Sequence, residues 1–180
     1  MANLIDLNSR DDAGNVRVVV ESPKGSNAKL KYNPALGVFE LQRFIGESGY
    51  PHDWGFVPGT LAADGDPLDA LVIHEGQTWP GVVIPSVGIA LLKVTETKAG
   101  EPESRRNDRL IVVPAFALAQ TGRAELASGV RAHLEQFFVA TGELAKKRVR
   151  VEGWGHEGEA AEALARACAA YDAKRRQTPG

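Results

Sequence analysis

The sequence predicts an α+β fold in which short β-strands come first and two α-helices come last. Short apolar runs separated by glycine, proline and asparagine fill the first two thirds of the chain, and apolar residues at helical spacing follow them. Strands of this kind form a barrel or a sandwich, and the pattern leaves that choice open. A length of 180 residues, 43% of them hydrophobic, suits one domain, residues 1–180, with a sizeable core.

The strands are predicted from runs of branched apolar residues bounded by turn residues. In chain order they are Val16–Glu21, Ala28–Tyr32, Val38–Ile45, Leu68–Ile73, Ser86–Val94 and Leu110–Val113. The polar segment from Thr95 to Asp108 is predicted to be a loop. On the second strand, Lys29 and Lys31 lie on one face because successive side chains alternate.

Two helices are predicted from apolar residues that recur every three or four positions. The first presents Leu126, Val130, Leu134 and Phe137, and the second presents Ala160, Leu164, Ala167, Cys168 and Tyr171. Cys168 is therefore expected in the core, and His133 is expected on a helix surface or in packing rather than as a ligand. The basic run 146–150 is interpreted as a solvated face or a strand edge, with a phosphate role as the alternative.

Composition excludes several classes of protein. A net charge of −2 and a pI near 6.1 argue against nucleic acid as a partner, because nucleic-acid binders carry a basic surplus. No apolar stretch approaches the roughly 18 residues of a membrane span, and the N-terminus is too polar for a signal peptide. The single cysteine excludes an internal disulfide and fits a reducing cytoplasm, which is the predicted location.

The chemistry concentrates in a turn that carries three carboxylates, Asp64, Asp66 and Asp69, within six residues. Gly65 and Pro67 lie between them and favour a turn over a helix. Three acids at the entrance of a strand repel one another unless a cation lies among them. Hard oxygen ligands of this kind suit Mg²⁺ or Ca²⁺, although an aspartate-rich turn is also a common structural element.

An EF-hand loop is the obvious rival interpretation, because Glu75 stands at the twelfth position counted from Asp64. The rival fails on two positions of that motif. Leu68 occupies the fifth position, and Asp69 occupies the sixth, where the motif requires glycine. A predicted apolar strand also runs through the remainder of the segment.

The segment Asp64-Gly65-Asp66-Pro67-Leu68-Asp69 resembles the signature of the soluble inorganic pyrophosphatases of family I, the barrel type. Tyr50-Pro51-x-x-x-Gly55-Phe56 resembles the lead-in to that signature, and Val151-Glu152-Gly153-Trp154 resembles the sequence before the last helix. The similarity extends from about residue 18 to residue 171. It implies a small five-stranded closed β-barrel, OB-like, with flanking helices, and Mg²⁺-dependent hydrolysis of pyrophosphate to two phosphates by metal-activated water.

The resemblance also assigns roles to residues, of which Lys31 and Arg43 would otherwise be interpreted as solvent-facing strand charges. Asp66 is expected to accept the proton of the metal-bound water. The expected metal ligands are Asp64, Asp66, Asp69, Glu21, Glu96 and Asn107, and the expected substrate-binding residues are Lys31, Arg43, Tyr50, Trp54 and Arg109. A homo-oligomer, a hexamer in a bacterial member, is implied as well.

Several positions at the rim of the expected site depart from the family pattern. Asn33 replaces a glutamate, Trp54 replaces a tyrosine, and Asn107 replaces an aspartate. An acidic pair is reduced to Glu96-Thr97, and Arg109 stands in place of lysine. Thr141-Gly142 occupies the place of a Tyr-Lys pair, which removes a phosphate-binding cation; Asp108 or Lys146 are the residues expected to compensate.

Three functions follow from these observations. The first is a Mg²⁺-dependent inorganic pyrophosphatase. The second is a divergent member of the family that acts on another phosphoanhydride or only binds a phosphate ligand, as the departures at Asn33 and Thr141-Gly142 suggest. The third, an oligonucleotide-binding barrel, is opposed by the acidic cluster and by the lack of net positive charge.

Overall fold

The structure is a computed structural model and describes residues 3–47, 49–122 and 126–177. Within these residues the fold is a sheet-dominated α+β arrangement with most of its helices at the C-terminal end, as predicted. The strands are β1 (Val16–Ser22), β2 (Ala28–Asn33), β3 (Val38–Phe44), β4 (Asp53–Phe56), β5 (Asp69–Val72), β6 (Val83–Lys98), β7 (Arg105–Arg106), β8 (Arg109–Pro114) and β9 (Lys147–Gly155). The α-helices are α1 (Ala115–Thr121), α2 (Ser128–Leu144) and α3 (Glu157–Gln177), and a short 3-10 helix spans Leu4–Asp6.

Five of the strands form a ring. β1 pairs with β4, β4 with β5, β5 with β8, β8 with β6, and β6 returns to β1. Only the β5–β8 pairing within this ring is parallel. β6 is 16 residues long, so its second half leaves the ring and pairs with β7 and β9. β2 and β3 form a separate antiparallel hairpin.

The short strand β5 shows why the ring holds together. Ala70 and Val72 face a core that α3 completes, whereas Leu71 faces a second core that α2 completes. All three side chains are fully buried, and each large apolar side chain removed from water contributes about 1.5–3 kcal/mol. A strand buried on both faces is continuously apolar in sequence, as β5 is after Asp69. It carries the aspartate-rich turn at its N-terminal end.

The crossing of β1 and β4 depends on a glycine. A Cβ atom on Gly55 would lie 1.9 Å from the carbonyl oxygen of Val19, so no side chain fits there. This close approach explains the glycine between two aromatic residues, Trp54 and Phe56, both of which are buried. The close contact thereby fixes Trp54 and Phe56, which flank Gly55 within the expected lead-in to the aspartate turn.

The β2–β3 hairpin packs onto the ring through aromatic contacts. The ring of Tyr32 lies 5.2 Å from that of Phe39 and 6.2 Å from that of Phe56, measured between centroids. The backbone N–H of Tyr32 also donates to the carboxylate of Glu21 on β1, at 2.7 Å. The hairpin is therefore anchored at the edge of the cavity described below, and it places Lys29, Lys31 and Arg43 there.

The last helix, α3, is amphipathic as predicted, and the face that carries its small apolar residues packs on the sheet. Ala160, Leu164 and Ala167 are buried against the ring strands. Cys168 is partly buried beside them and donates from its thiol to the hydroxyl of Ser9 at 3.3 Å, in agreement with a packing role. His133 on α2 is exposed, which agrees with its expected placement on a helix surface. Among the described residues, the helices lack the combination of length and apolar character that crossing a membrane would require.

The structure corrects three expectations. Residues 53–56 form a strand, β4, that was not recognised within the lead-in motif. β6 continues to Lys98 and β7 covers Arg105–Arg106, so six of the 14 residues predicted to be a loop are strand. Helix α1 is too short, at seven residues, for its periodicity to be recognised. The basic run around Lys147 belongs to β9, which pairs with β6 alone among the described strands, so the predicted placement at a strand edge is confirmed.

Candidate active site

One cavity of about 840 Å³ opens between the ring, the β2–β3 hairpin and the helices. Its lining includes every residue for which the sequence predicts a catalytic, metal-binding or substrate-binding role. The acidic and amide groups among them are Glu21, Asp64, Asp66, Asp69, Glu96 and Asn107, and the others are Lys31, Arg43, Tyr50, Trp54 and Arg109. These residues come from separate strands and one turn, so the fold brings them together and their spacing in sequence does not.

The aspartate turn is held rigidly at the mouth of β5. The buried hydroxyl of Thr60 donates to the carbonyl of Val57 at 2.5 Å and accepts from the N–H of Leu68 at 2.9 Å. Within the turn, the backbone N–H of Asp66 donates to a side-chain oxygen of Asp64 at 3.1 Å. Gly65 has a φ of 92°, which favours glycine at that position. The turn predicted from sequence is therefore present, and its acids project into the cavity.

Asp66 faces a lysine across the cavity mouth. The ammonium of Lys31 donates to Oδ2 of Asp66 at 2.8 Å, and both side chains remain about half exposed. A charge-assisted hydrogen bond of this kind is stronger than one between neutral groups. The nearby acids also act on the lysine: although burial lowers the pKa of Lys31, its hydrogen bond and attraction to Asp66 raise it above the ordinary value overall.

Arg109 is the cation at the centre of the site. It is 4% exposed, and its guanidinium pairs with Glu96 on one side and with Asp69, at 3.3 Å, on the other. The aromatic rings of Trp54 and Phe138 lie 5.3 and 5.5 Å from its Cζ atom. A guanidinium held between two rings and two carboxylates has little freedom, because its planar fork is fixed by both kinds of contact.

Glu96 has both carboxylate oxygens engaged by cations. One oxygen accepts from Arg109, and the other accepts from the ammonium of Lys147 on β9 at 2.8 Å. Burial raises the pKa of Glu96, but Arg109 and Lys147 outweigh it and lower that pKa below the ordinary value. Glu96 is therefore a charged group in an ion-pair network. Asn107, buried beside it, places its backbone carbonyl against the guanidinium of Arg109.

Three other acids have pKa values that burial raises. Burial raises the pKa of Glu21 to about 7, although the N–H of Tyr32 opposes that shift. Burial likewise raises the pKa of Asp69 to about 6, despite the nearby Arg109 and Lys29. Burial also raises the pKa of Asp64. The protein's own cations thus leave these carboxylates only partly neutralised.

These acids fit a divalent metal by their chemistry. The donor set consists of carboxylate and amide oxygens, which Mg²⁺ prefers, and an added cation would relieve the stress on Glu21 and Asp69. Within the ranges the structure describes, no three His, Cys, Asp or Glu side chains are gathered closely enough to hold an ion by themselves. Mg²⁺ commonly retains several waters and takes few protein ligands, so the spread of these acids suits it.

An aromatic wall closes the side of the cavity nearest α2. The ring of Tyr50 lies 5.3 Å from that of Phe137, and the ring of Trp54 lies 5.5 Å from that of Phe138. Burial raises the pKa of Tyr50 to about 12, so its hydroxyl remains a hydrogen-bond donor at neutral pH. Trp54 contributes its ring surface to the wall and lies beneath the guanidinium of Arg109.

Sequence reasoning missed two cations on the cavity wall. Lys29 lies one strand period from Lys31 and shares its face, so the spacing already contained the signal. Lys147 belongs to the basic run interpreted as a solvated face or a strand edge, with a phosphate role as the alternative; it lines the cavity and pairs with Glu96. The two residues expected to compensate for the missing rim cation, Asp108 and Lys146, do not line the cavity.

The rim departures have local explanations. The side chain of Asn33 accepts from the N–H groups of Ala35 and Leu36, so it shapes the turn of the hairpin rather than the site. Thr141 lines the cavity, but its hydroxyl donates to the carbonyl of Phe137 on the preceding turn of α2 at 2.9 Å. Gly142 lines the cavity without offering a side chain.

The whole chain is similar to known proteins of one family. The sequence model of the inorganic pyrophosphatases matches residues 18–172. An inorganic pyrophosphatase of Thermus thermophilus is 36% identical, with 94% of this chain and 98% of that protein aligned. An inorganic pyrophosphatase of Sulfolobus acidocaldarius is 37% identical over 81% of this chain and 84% of its own.

Solved structures agree with the sequence comparison. The crystal structure of the Thermus thermophilus inorganic pyrophosphatase superposes with a TM-score of 0.83 at 34% identity, covering 95% of this chain and 99% of that one. The inorganic pyrophosphatase of Helicobacter pylori superposes with a TM-score of 0.81 at 29% identity, covering 92% and 98%. The signature turn, the cavity and these similarities agree, and the chain belongs to the inorganic pyrophosphatase family.

Proposed function

We propose that this protein hydrolyses inorganic pyrophosphate to two phosphates in the cavity, with the aid of Mg²⁺. The observation that carries this proposal is the arrangement of charge around one cavity, where carboxylates from the turn and from β1 face the cations of β2, β3 and β8. Pyrophosphate is densely anionic, so its binding needs cations, whereas metal ions need the acids. The cavity offers both within the reach of one small ligand.

The proposed metal ligands are those predicted from sequence: Asp64, Asp66, Asp69, Glu21, Glu96 and Asn107. When bound, Mg²⁺ supplies charge neutralisation of the phosphate oxygens and lowers the pKa of a coordinated water. Because Glu96 is held by Arg109 and Lys147, it enters such a site only if one of these cations turns to the substrate. Both cations lie on the cavity wall, within the same site as the substrate they would meet.

Asp66 is the proposed proton acceptor. The attacking water loses a proton to Asp66 as its oxygen bonds to one phosphorus, the P–O–P bridge breaks, and the second phosphate leaves with the bridging oxygen. Asp66 is paired with the ammonium of Lys31 at 2.8 Å before the reaction, which holds the acceptor at the mouth of the cavity. Partial exposure of both groups gives water and substrate access to them.

The phosphates are proposed to bind Lys31, Arg43 and Arg109, with Tyr50 and Trp54 as donors on the aromatic wall. Arg43 can offer a fork of N–H groups to phosphate oxygens, which lysine cannot. The Nε atoms of Arg43 and Arg109 are buried and make no hydrogen bond among the described residues. An anionic ligand would satisfy such donors, which are costly to leave unpaired.

Further properties of the family are proposed for this chain. The five-stranded ring supports a small closed barrel of the OB type, and the continuous match over residues 18–172 supports a single domain. A cytoplasmic location fits the single unpaired cysteine. A homo-oligomer is proposed because apolar side chains such as Leu36, Phe44 and Phe116 are about two thirds exposed.

The missing cation at Gly142 favours a second candidate, hydrolysis of a larger phosphoanhydride. A volume of about 840 Å³ exceeds what pyrophosphate alone fills, and the cavity continues past the aspartate turn to Tyr171 and Arg175 on α3. A substrate with a group beyond its two phosphates would use this space. The two candidates share the same attack on a P–O–P bridge, so they differ only in what the outer cavity holds.

The test is phosphate release from pyrophosphate with and without Mg²⁺, for the wild type, Asp66→Asn and Asp12→Asn. Asp12 is an exposed aspartate outside the cavity, so its variant controls for the chemical change. We expect Mg²⁺-dependent release that falls by at least about a hundredfold in Asp66→Asn, a typical loss for a general base, with unchanged circular dichroism. Near wild-type turnover in Asp66→Asn would remove Asp66 from its proposed role.

The same assay separates the two candidate functions. Slow release from pyrophosphate together with faster release from tripolyphosphate or a nucleoside triphosphate would favour the larger substrate. A folded wild type that releases no phosphate from any of these compounds would contradict both proposals.

A further inference from the structure

The active-site cavity has an outer end beyond the aspartate turn. We call this end the outer subsite and define it by the residues that line it: Ile5, Asp6, Leu61, Tyr171, Lys174 and Arg175. They come from the 3-10 helix Leu4–Asp6, from the segment before the turn and from the last two turns of α3. Asp6, Lys174 and Arg175 lie outside residues 18–172, so the match to the family model gives them no role.

Backbone hydrogen bonds tie the outer subsite to the approach of the aspartate turn. The N–H of Gly59 donates to the carbonyl of Ile5 at 2.8 Å, and the N–H of Leu61 donates to the carbonyl of Ala167 on α3 at 2.9 Å. The 3-10 helix and α3 are therefore both held beside the segment that leads into the turn. Arg175 lies eight residues beyond Ala167, which places it about 12 Å further along the helix axis.

The aromatic ring of the outer subsite is already engaged by its neighbours. The hydroxyl of Tyr171 donates to Oδ1 of Asp6, and the Cζ atom of Arg175 lies 5.9 Å from the centroid of the Tyr171 ring. Burial and the neighbouring carboxylate of Asp6 raise the pKa of Tyr171 to about 12, so its hydroxyl stays protonated at neutral pH. A nucleobase would need a free ring face for stacking, and the guanidinium of Arg175 occupies one face of this ring.

Two cations of α3 belong to the outer subsite. Basic residues in the last turn of a helix often only complement the helix dipole, and Lys174, Arg175 and Arg176 all stand in that turn. Lys174 and Arg175 line the cavity, however, whereas Arg176 does not. The outer subsite thus combines two cations with one carboxylate, Asp6, and this balance of charge favours an anionic group.

Both ends of the cavity therefore carry positive charge. The inner cations, Lys31, Arg43 and Arg109, are the proposed partners of pyrophosphate. We propose that the outer subsite binds a further phosphate of a linear inorganic polyphosphate whose terminal P–O–P bridge lies at the aspartate turn. Arg175 donates to this phosphate with its guanidinium fork, and Lys174 adds a second positive charge. The inference rests on the proposed phosphoanhydride hydrolysis and names the class of its larger substrate.

The chemical step is the one proposed for pyrophosphate. The oxygen of water bonds to the terminal phosphorus, its proton passes to Asp66, and the bridging oxygen leaves with the remainder of the chain. The products are one phosphate and a polyphosphate shorter by one unit. The outer subsite takes no part in proton transfer, so its contribution is to the binding of the longer chain.

The experiment compares inorganic tetraphosphate with pyrophosphate. Titration calorimetry in EDTA measures the binding of each compound and of ATP, and phosphate release at a fixed concentration of free Mg²⁺ gives kcat/KM. The variants are Arg175→Met, which removes the charge, and Arg175→Lys, which keeps it. Arg176→Met is the matched control, because Arg176 is exposed on the same helical turn and lies outside the cavity.

We expect the wild type to bind tetraphosphate more tightly than pyrophosphate. Arg175→Met should reduce this preference by about five- to thirtyfold, between the values for an exposed ion pair and a charge-assisted hydrogen bond. The ratio of the two kcat/KM values should fall in the same direction, since the contact exists in the bound chain and in the transition state. Arg175→Lys should keep the preference within about twofold, and Arg176→Met should not change it.

Two results would overturn the inference. The first is a preference for tetraphosphate that is the same in Arg175→Met as in the wild type. The second is binding of ATP that depends on Arg175 while binding of tetraphosphate does not, because the group in the outer subsite would then be a nucleoside.

The two readouts separate this inference from the proposed function. A wild type that releases phosphate from pyrophosphate but binds tetraphosphate no more tightly than pyrophosphate contradicts only the outer subsite. A wild type that releases phosphate from neither compound contradicts the proposed function. Calorimetry in EDTA then still decides whether Arg175 binds the longer chain.

Discussion

Gly142 on α2 and Val149 on β9 are so close that a Cβ atom on the glycine would lie 2.3 Å from Cγ2 of the valine. The same Cβ would lie 3.0 Å from Cβ of Val149 and 3.3 Å from the carbonyl oxygen of Lys147. Helix α2 thus packs on β9 at a distance that only glycine permits. The absence of the rim cation therefore depends on how closely α2 packs against β9, and it involves more than the one substitution at position 142.

Replacing Gly142 should destabilise the fold without repairing the site. We expect Gly142→Ala to lower the free energy of unfolding by about 1–3 kcal/mol, because overpacking forces the helix and strand apart. For a chain of this length that corresponds to roughly 2–4 °C in Tm per kcal/mol. Gly142→Lys should lower Tm further and leave KM for pyrophosphate no lower than in the wild type.

The double variant Gly142→Ala with Val149→Ala serves as the control. It removes the atom that the new Cβ meets, so its cost should be smaller than the sum of the two single costs. Simple additivity of the two costs would contradict the packing argument, and so would a Gly142→Lys protein of normal stability with a lower KM.

The raised pKa of Glu21 makes a prediction about stability and pH in the metal-free protein. The folded-state pKa is about 7, above the ordinary value of 4.5, so the folded protein holds this proton more tightly than the unfolded chain does. Its contribution to stability is complete below pH 4.5 and is lost as pH rises to about 7. Glu21→Gln imitates the protonated group and removes this loss.

In EDTA, Glu21→Gln should match the wild type in stability near pH 4 and exceed it near pH 8 by up to about 3 kcal/mol, the value of a shift of this size. Urea unfolding at both pH values measures the difference. Glu75→Gln is the comparison, because this glutamate is exposed and its partner Lys24 lowers its pKa. A stability difference between Glu21→Gln and wild type that stays constant with pH would refute the account.

Arg109 should contribute far more to stability than an ordinary surface arginine. Arg109→Met leaves Asp69 and Glu96 buried with one cation fewer, and breaking a buried ion pair on one side costs about 3–5 kcal/mol. Arg106→Met, which removes an exposed arginine paired with Asp108, should cost less than about 1 kcal/mol. Thermal unfolding in EDTA compares the two variants.

Addition of Mg²⁺ gives the Arg109 experiment a second readout. If the acids around Arg109 bind the metal, Mg²⁺ should raise the Tm of Arg109→Met by more than it raises that of the wild type, since the ion replaces the missing charge. Equal shifts in the two proteins would indicate that these acids do not share a metal.

Periodicity made much of the fold predictable, and the failures have physical causes. β5 and α3 were recognised because burial on two faces gives a continuous apolar run and burial on one helix face gives a 3.6-residue period. β9 alternates between partly buried Val149 and Val151 and exposed Arg148 and Arg150, yet its charge concealed this two-residue period. α1 and β4 are too short to show any period.

The site was predictable where its residues are adjacent in sequence and less so where strand pairing creates it. The turn from Asp64 to Asp69 is local, so the spacing of its acids indicated its chemistry. The pair between Lys147 and Glu96 depends on β9 lying along β6, and no local pattern specifies that contact. The spacing of Lys29 from Lys31 indicated a shared face, whereas its position opposite Arg43 depends on strand pairing.

Lys146 provides the last prediction, because its backbone is strained and its charge lies outside the site. Its backbone has a φ of 55° directly after α2, a conformation that glycine adopts more readily than other residues. The side chain of Lys146 is exposed. Lys146→Gly should therefore stabilise the protein by about 0.5–1 kcal/mol, as a higher urea midpoint would show. Lys146→Ala also removes the charge but keeps the Cβ, so it should bring no such gain. Both variants should leave KM for pyrophosphate unchanged; a raised KM in both would return Lys146 to the substrate site.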